Sequence, residues 1–170
     1  MKIIFLSLFL LSGCFLDYEY QEENQVSKDP QYYEADFKND ISVQSFDDTL
    51  YYVYKSVEYK DETFDYWQTP EQTYTLKNGD CEDFAIFTMW ILWNKLKIDS
   101  RLILIFKNGQ GHAVIKVNGE YYDPRKPQFS YQFLKYVPLD LSTWTILHDF
   151  SYDETMHQAY FHHGIERKFN

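Results

Sequence analysis

The sequence predicts an α+β fold, on three observations. Helical patterns come first in the domain, up to residue 97. Strand patterns broken by turn signals follow from Arg101 onward. Between two of those strand patterns lies Asn118-Gly119, the strongest two-residue hairpin signal, so the strands pair antiparallel. Helices segregated from an antiparallel sheet define the α+β class.

The first element is not part of that fold. The chain opens MKIIFLSLFLLSGC: Lys2 is a minimal positive start, and Ile3 to Leu11 is an apolar run too short to span a bilayer. Leu11-Ser12-Gly13-Cys14 then resembles the lipobox of bacterial lipoproteins. The resemblance implies a signal peptide over 1–13, cleavage before Cys14, and a lipid anchor on the Cys14 thiol outside the cytoplasm. Buried methylenes of such chains hold a protein to a membrane at about 0.8 kcal/mol each. Phe15, not Asp, follows Cys14, which leans toward an outer membrane. Residues 14–40 are polar, acidic and without period, and read as a tether. The domain then covers 41–170.

Within the domain, Ser45 can cap a helix running to about Val57, with Leu50, Val53, Tyr54 and Val57 at helical spacing. Tyr59 to Asn78 is irregular, and Pro70-Glu71-Gln72 suits a short helix start. Asp80 caps the segment CEDFAIFTMWILWNKLK, with Glu82 and Asp83 at the end that favours negative charge and Lys95 and Lys97 at the other. This helix is apolar over most of its girth and is expected to be central. Arg101 to Phe106 is a buried-strand pattern, and Asn108 to Gly111 is a turn. His112 to Val117 and Glu120 to Tyr122 form the hairpin, and Phe133 to Val137 and Thr143 to Leu147 are strand-like.

Composition narrows the functions. Sixteen basic and twenty-six acidic residues give a net charge of −10, with no basic stripe, so nucleic acid is not an expected partner. A hydrophobic fraction of 45% with 20% aromatics excludes a disordered chain. Two cysteines, Cys14 and Cys81, exclude a disulfide framework. The tyrosines around 51–59 and 121–136 fit either a core or a groove for an extended ligand.

Three residues carry the chemistry: Cys81, His112 and Asp123. Cys81 stands in the first turn of its helix, where the dipole favours a thiolate and backbone N–H groups can receive an oxyanion. Asp80, Glu82 and Asp83 work against the thiolate, so a histidine is needed nearby. The hairpin supplies one. With Asn118 and Gly119 as loop, Val117 opposes Glu120, Ile115 opposes Tyr122, and Val114 opposes Asp123. His112 and Asp123 then share a face as diagonal neighbours, with Cα atoms about 7–8 Å apart. Ala113, Ile115, Val117 and Tyr122 take the opposite, apolar face, and a one-residue slip would lose both arrangements. Asp123 would orient the ring, His112 would move the proton, and Cys81 would attack a carbonyl.

Asn78-Gly79-Asp80-Cys81-Glu82-Asp83-Phe84-Ala85, with Trp67-Gln68-Thr69-Pro70 upstream and His112-Ala113-Val114 and Tyr122-Asp123-Pro124 downstream, resembles the transglutaminase-like superfamily. The nearest likeness is to bacterial transglutaminase-like cysteine peptidases. The resemblance covers roughly residues 45 to 127. It implies a papain/transglutaminase-like core with Cys on a helix head and His and Asp on neighbouring strands. It further implies an oxyanion donor at Gln68 or Trp67, and calcium held by Asp80, Glu82 and Asp83, against which stands plain helix capping. No cofactor is otherwise required. Calcium takes six to eight oxygen ligands. His157, His162 and His163 do not share one α-helix face and read as surface residues.

These readings converge on a lipid-anchored envelope enzyme. It would hydrolyse an amide bond in a protein or peptide through a thioester, or transfer the acyl group to an amine. The alternative is a catalytically silent lipoprotein that uses the same fold as a binding module.

Overall fold

A computed structural model describes residues 36–61, 66–130 and 135–164. The expected signal peptide, Cys14 and most of the expected tether lie outside the described residues. Among those described, no helix is long and apolar enough to cross a membrane.

Helix α1 runs Phe46–Ser56, and the Ser45 hydroxyl caps it by accepting from the Asp48 N–H at 3.1 Å. Its inner face is Thr49, Leu50 and Val53, all fully buried. Helix α2, Pro70–Leu76, starts with proline where a helix needs no N–H, and Thr69 and Gln72 close a capping box. It ends on Lys77 in the left-handed region at φ 57°. That turn lets Asn78–Gly79 (β2) pair in parallel with Glu58–Tyr59 (β1). Helix α3, Cys81–Ile91, is buried at every position from Glu82 on and continues as a π-helical segment, Leu92–Leu96. α3 packs on the main sheet, and α1, α2 and α4 (Tyr152–His157) pack around it.

The sheet has four strands in the order β5-β4-β3-β8. β3 is Arg101–Lys107, β4 Gln110–Val117, β5 Glu120–Tyr122 and β8 Thr145–Phe150. A separate hairpin pairs β6 (Gln128–Ser130) with β7 (Lys135–Val137). Two turns set the register of the main sheet. Asn108-Gly109 and Asn118-Gly119 all have positive φ, between 52° and 87°, as a two-residue hairpin with right-handed strand twist requires. Val117 pairs with Glu120, Lys116 with Tyr121 and Ile115 with Tyr122, the expected register. Ala113, Ile115, Val117 and Tyr122 are all buried. On the other face Ile103, Ile105 and Val114 form a cluster covered by Tyr121, Leu139, Leu141 and Trp144.

Residues just ahead of the expected domain start at 41 also pack. Residues Asp36–Asp40 form a 3-10 turn. Phe37 stacks on Tyr74 at 4.3 Å and reaches Trp90 at 4.7 Å, and the Lys38 carbonyl accepts from Lys95 Nζ at 3.0 Å. An isolated aromatic in an acidic stretch carries no periodicity to announce this. The described part of the expected strand over Phe133 to Val137 is a strand, Lys135–Val137, with Phe133 and Leu134 outside the described residues, and the expected strand from Thr143 begins at Thr145 and runs on to Phe150.

Candidate active site

The head of α3 is built around a buried carboxylate. Asp83 is fully buried; its Oδ1 accepts from the Gln68 N–H at 2.8 Å and its Oδ2 from the Asp80 N–H at 3.1 Å. One side chain therefore ties the loop before α2 to the start of α3. Gly79 leaves room for it, because a Cβ there would lie 2.6 Å from both Asp83 Cβ and Oδ2. The Gly79→Ala variant is expected to lose about 3 kcal/mol through overpacking, read as a fall in the denaturant midpoint. An unchanged midpoint would contradict this description of the helix head.

Cys81 is the first residue of α3 and is partly exposed. Its thiol donates to Glu82 Oε2 at 3.1 Å. Burial pushes the thiol well above its ordinary value, the Glu82 charge and hydrogen bond push it further, and Asp80 adds to them. The Ala113 backbone N–H, on β4, acts in the opposite direction. The Glu82→Gln variant removes the charge, so the thiol should ionise at lower pH. Alkylation of Cys81 by iodoacetamide at pH 8 should then rise about tenfold for each unit the pKa falls. An unaltered pH–rate profile would mean that Glu82 does not govern the thiol.

His112 projects from β4, and its Nε2 lies 2.8 Å from Asp123 Oδ2. Asp123 follows directly after β5, at the position the register sets opposite Val114. An ionised Asp123 accepts only, so Nε2 carries the proton and Nδ1 is left as the basic nitrogen. Asp123 Oδ1 accepts from the N–H groups of Arg125 at 3.0 Å and Lys126 at 3.3 Å, and Arg125 Nη2 lies 3.9 Å from Oδ2. Burial raises the carboxyl, but His112 and Arg125 outweigh it and hold Asp123 below the usual carboxylate value.

Cys81, His112 and Asp123 line one cleft of about 480 Å³. Tyr59, among the tyrosines expected in a core or a groove, lines its wall, and sequence reasoning missed Arg125 and Trp144 there. The Arg125 guanidinium sits 4.7 Å from the Tyr59 ring centre, and the Trp144 ring centre lies 6.3 Å from that of His112. The Tyr59 hydroxyl donates to Asp61, and this bond, with burial and the Asp61 charge, pushes the phenol up to about 12. Arg125 could have been found from Asp123-Pro124-Arg125-Lys126, a turn in which an Asp accepts N–H groups just ahead of it. Trp144 has no such signal.

The expected oxyanion donors are placed elsewhere. Trp67 and Gln68 are buried and do not belong to the described cleft wall. Gln68 Oε1 accepts from Thr73, and the Trp67 N–H donates to the His163 carbonyl at 2.9 Å. Gln68 thus joins the loop before α2 to the helix head through Asp83, and Trp67 joins it to the segment after α4. The acidic trio expected to hold calcium is divided between two settings. Both Asp83 oxygens accept backbone N–H groups, and the third ligand atom converging with Asp80 and Glu82 is the Cys81 sulfur, a poor donor for a hard cation. Asp80 and Asp83 form a capping box at the start of α3.

The comparison with protein families agrees with this arrangement of elements. The family model for a transglutaminase-like domain matches residues 18–149, most of the chain. The chain belongs to the transglutaminase-like domain family. No curated protein matches it. In this transglutaminase-like domain the cysteine comes from a helix head and the histidine from the sheet beside it, with the aspartate directly after the next strand.

Proposed function

We propose that this transglutaminase-like domain is a thiol enzyme acting on an amide bond of a protein or peptide. The observation that carries the reading is the Nε2 bond from His112 to Asp123 in the cleft that also holds Cys81, because it leaves Nδ1 for the thiol. At rest the proton sits on sulfur, facing Glu82. On substrate binding the sulfur turns from Glu82 to His112, and Nδ1 takes the proton as sulfur attacks the carbonyl carbon. The oxyanion faces the N–H groups at the head of α3. Collapse breaks the C–N bond, and the Nδ1 proton goes to the leaving amine. His112 then deprotonates water or an acceptor amine, which attacks the thioester and frees the thiol. Hydrolysis is the first choice, and transfer differs only in that last nucleophile.

The second reading is a silent binding module at the cell envelope. It is favoured by the same neutral thiol, held on Glu82 and pushed away from ionisation. Incubating the purified chain with a peptide library, with and without an added amine, separates the two. Enzymatic action predicts new peptide termini or amine conjugates that vanish in Cys81→Ala. Peptides retained but chemically intact support the binding module.

Both readings place the domain on a membrane through Cys14, in the envelope and on the outer-membrane side. Growth with an alkyne-tagged fatty acid should label the chain, and Cys14→Ser should abolish the label. A chain that stays unlabelled in both forms has no lipid anchor.

A further inference from the structure

After β8 the chain forms an element that sequence periodicity mishandles. Helix α4, Tyr152–His157, continues as a π-helical turn over Gln158–His162. At 3.6 residues per turn, residues five apart diverge by about 140°. A π-turn closes i to i+5, so the fifth residue returns over the first. His157 and His162 are therefore brought together. Their Nε2 atoms lie 3.3 Å apart, with rings crossed at 69°, and both residues are exposed.

Two features make this more than a chance neighbourhood of surface imidazoles. The first is the distance. Two metal–nitrogen bonds of about 2.0–2.1 Å at a tetrahedral angle put their nitrogens about 3.3 Å apart. The second is the support. The segment is fastened at several points: Trp67 N–H to the His163 carbonyl at 2.9 Å, the His163 ring stacked on Tyr66 at 4.6 Å, and the Tyr160 hydroxyl on Glu71 at 2.6 and 2.7 Å. His157 also packs against Phe161 at 4.9 Å. The pair is held before any ion arrives, which lowers the ordering cost of binding.

We propose that His157 and His162 form a binding site for a divalent transition-metal ion of the zinc type. Imidazole nitrogens suit Zn²⁺, Cu²⁺ and Ni²⁺ and not the hard cations. The pair supplies two ligands and leaves the other positions to water or to a group from another molecule. The site is separate from the Cys81 cleft, since no residue of this segment belongs to the cleft wall.

The test uses the untagged full chain carrying Cys81→Ala, which removes that thiol as a competing ligand, titrated with ZnCl₂ by calorimetry. One equivalent of Zn²⁺ should bind. His157→Ala and His162→Ala should each weaken it at least tenfold while leaving the circular dichroism spectrum unchanged. A His148→Ala control, changing an exposed histidine on β8, should bind as the parent does. Absence of zinc binding in the parent, or binding in both single variants as tight as the parent's, would overturn the proposal and leave a hydrogen-bonded imidazole pair.

Discussion

Replacing His112 with alanine is expected to slow amide turnover by about 10²–10⁴-fold, the usual contribution of a positioned general acid–base. The size follows from how poorly the thiol ionises without help. Burial and the Glu82 charge both disfavour the thiolate, so the proton must leave during attack. The Ala113 N–H and the dipole of α3 favour the anion but cannot take a proton. The loss should fall on kcat, because no other described side chain on the cleft wall is an imidazole. A loss confined to KM would move His112 from the chemistry to substrate binding.

Asp123→Asn should lose activity on a similar scale, up to about 10⁴-fold, by a different route. The amide can still fill the space between His112 and the Arg125–Lys126 turn. It can also donate to Nε2, which shifts the ring proton to Nδ1 and removes the base from the cysteine side. The same substitution changes stability with pH. The folded carboxyl lies below its ordinary value of 3.8, so its contribution is complete above that value and is lost as pH falls through the lowered one. The variant should therefore be less stable than the parent near neutrality and converge with it in acid. Parallel curves across the acid range would contradict the hydrogen bond from His112 to Asp123.

Much of this site is legible in the sequence because short-range physics sets it. The Asn118-Gly119 turn admits one register, and that register alone decides that His112 and Asp123 meet. Asp80 and Asp83 announce the start of α3 by charge and capping chemistry, which fixes where Cys81 stands. What the sequence hid was long-range. Gln68 looked like a donor beside the cysteine, yet the buried Asp83 carboxylate captures its N–H and turns it into a brace. The same carboxylate, expected as a metal ligand, braces the helix head through both its oxygens. The parallel pairing of β1 with β2 involves two residues from each strand, too few for a pattern. Helix α4 was readable but overlooked: Ser151 and Glu154 make the same kind of capping box as Thr69 and Gln72. The π-turn after it defeats any reading that assumes 3.6 residues per turn, which is why His157 and His162 seemed to face apart.

The central claim is that His112, steadied by Asp123, activates the Cys81 sulfur. Intact-mass measurement of the chain after exposure to a peptide vinyl sulfone tests it most directly. The account predicts a single adduct mapped to Cys81, formed rapidly in the parent and slowed at least a hundredfold in His112→Ala. Adduct formation at the same slow rate in both proteins would show a thiol that the imidazole does not serve.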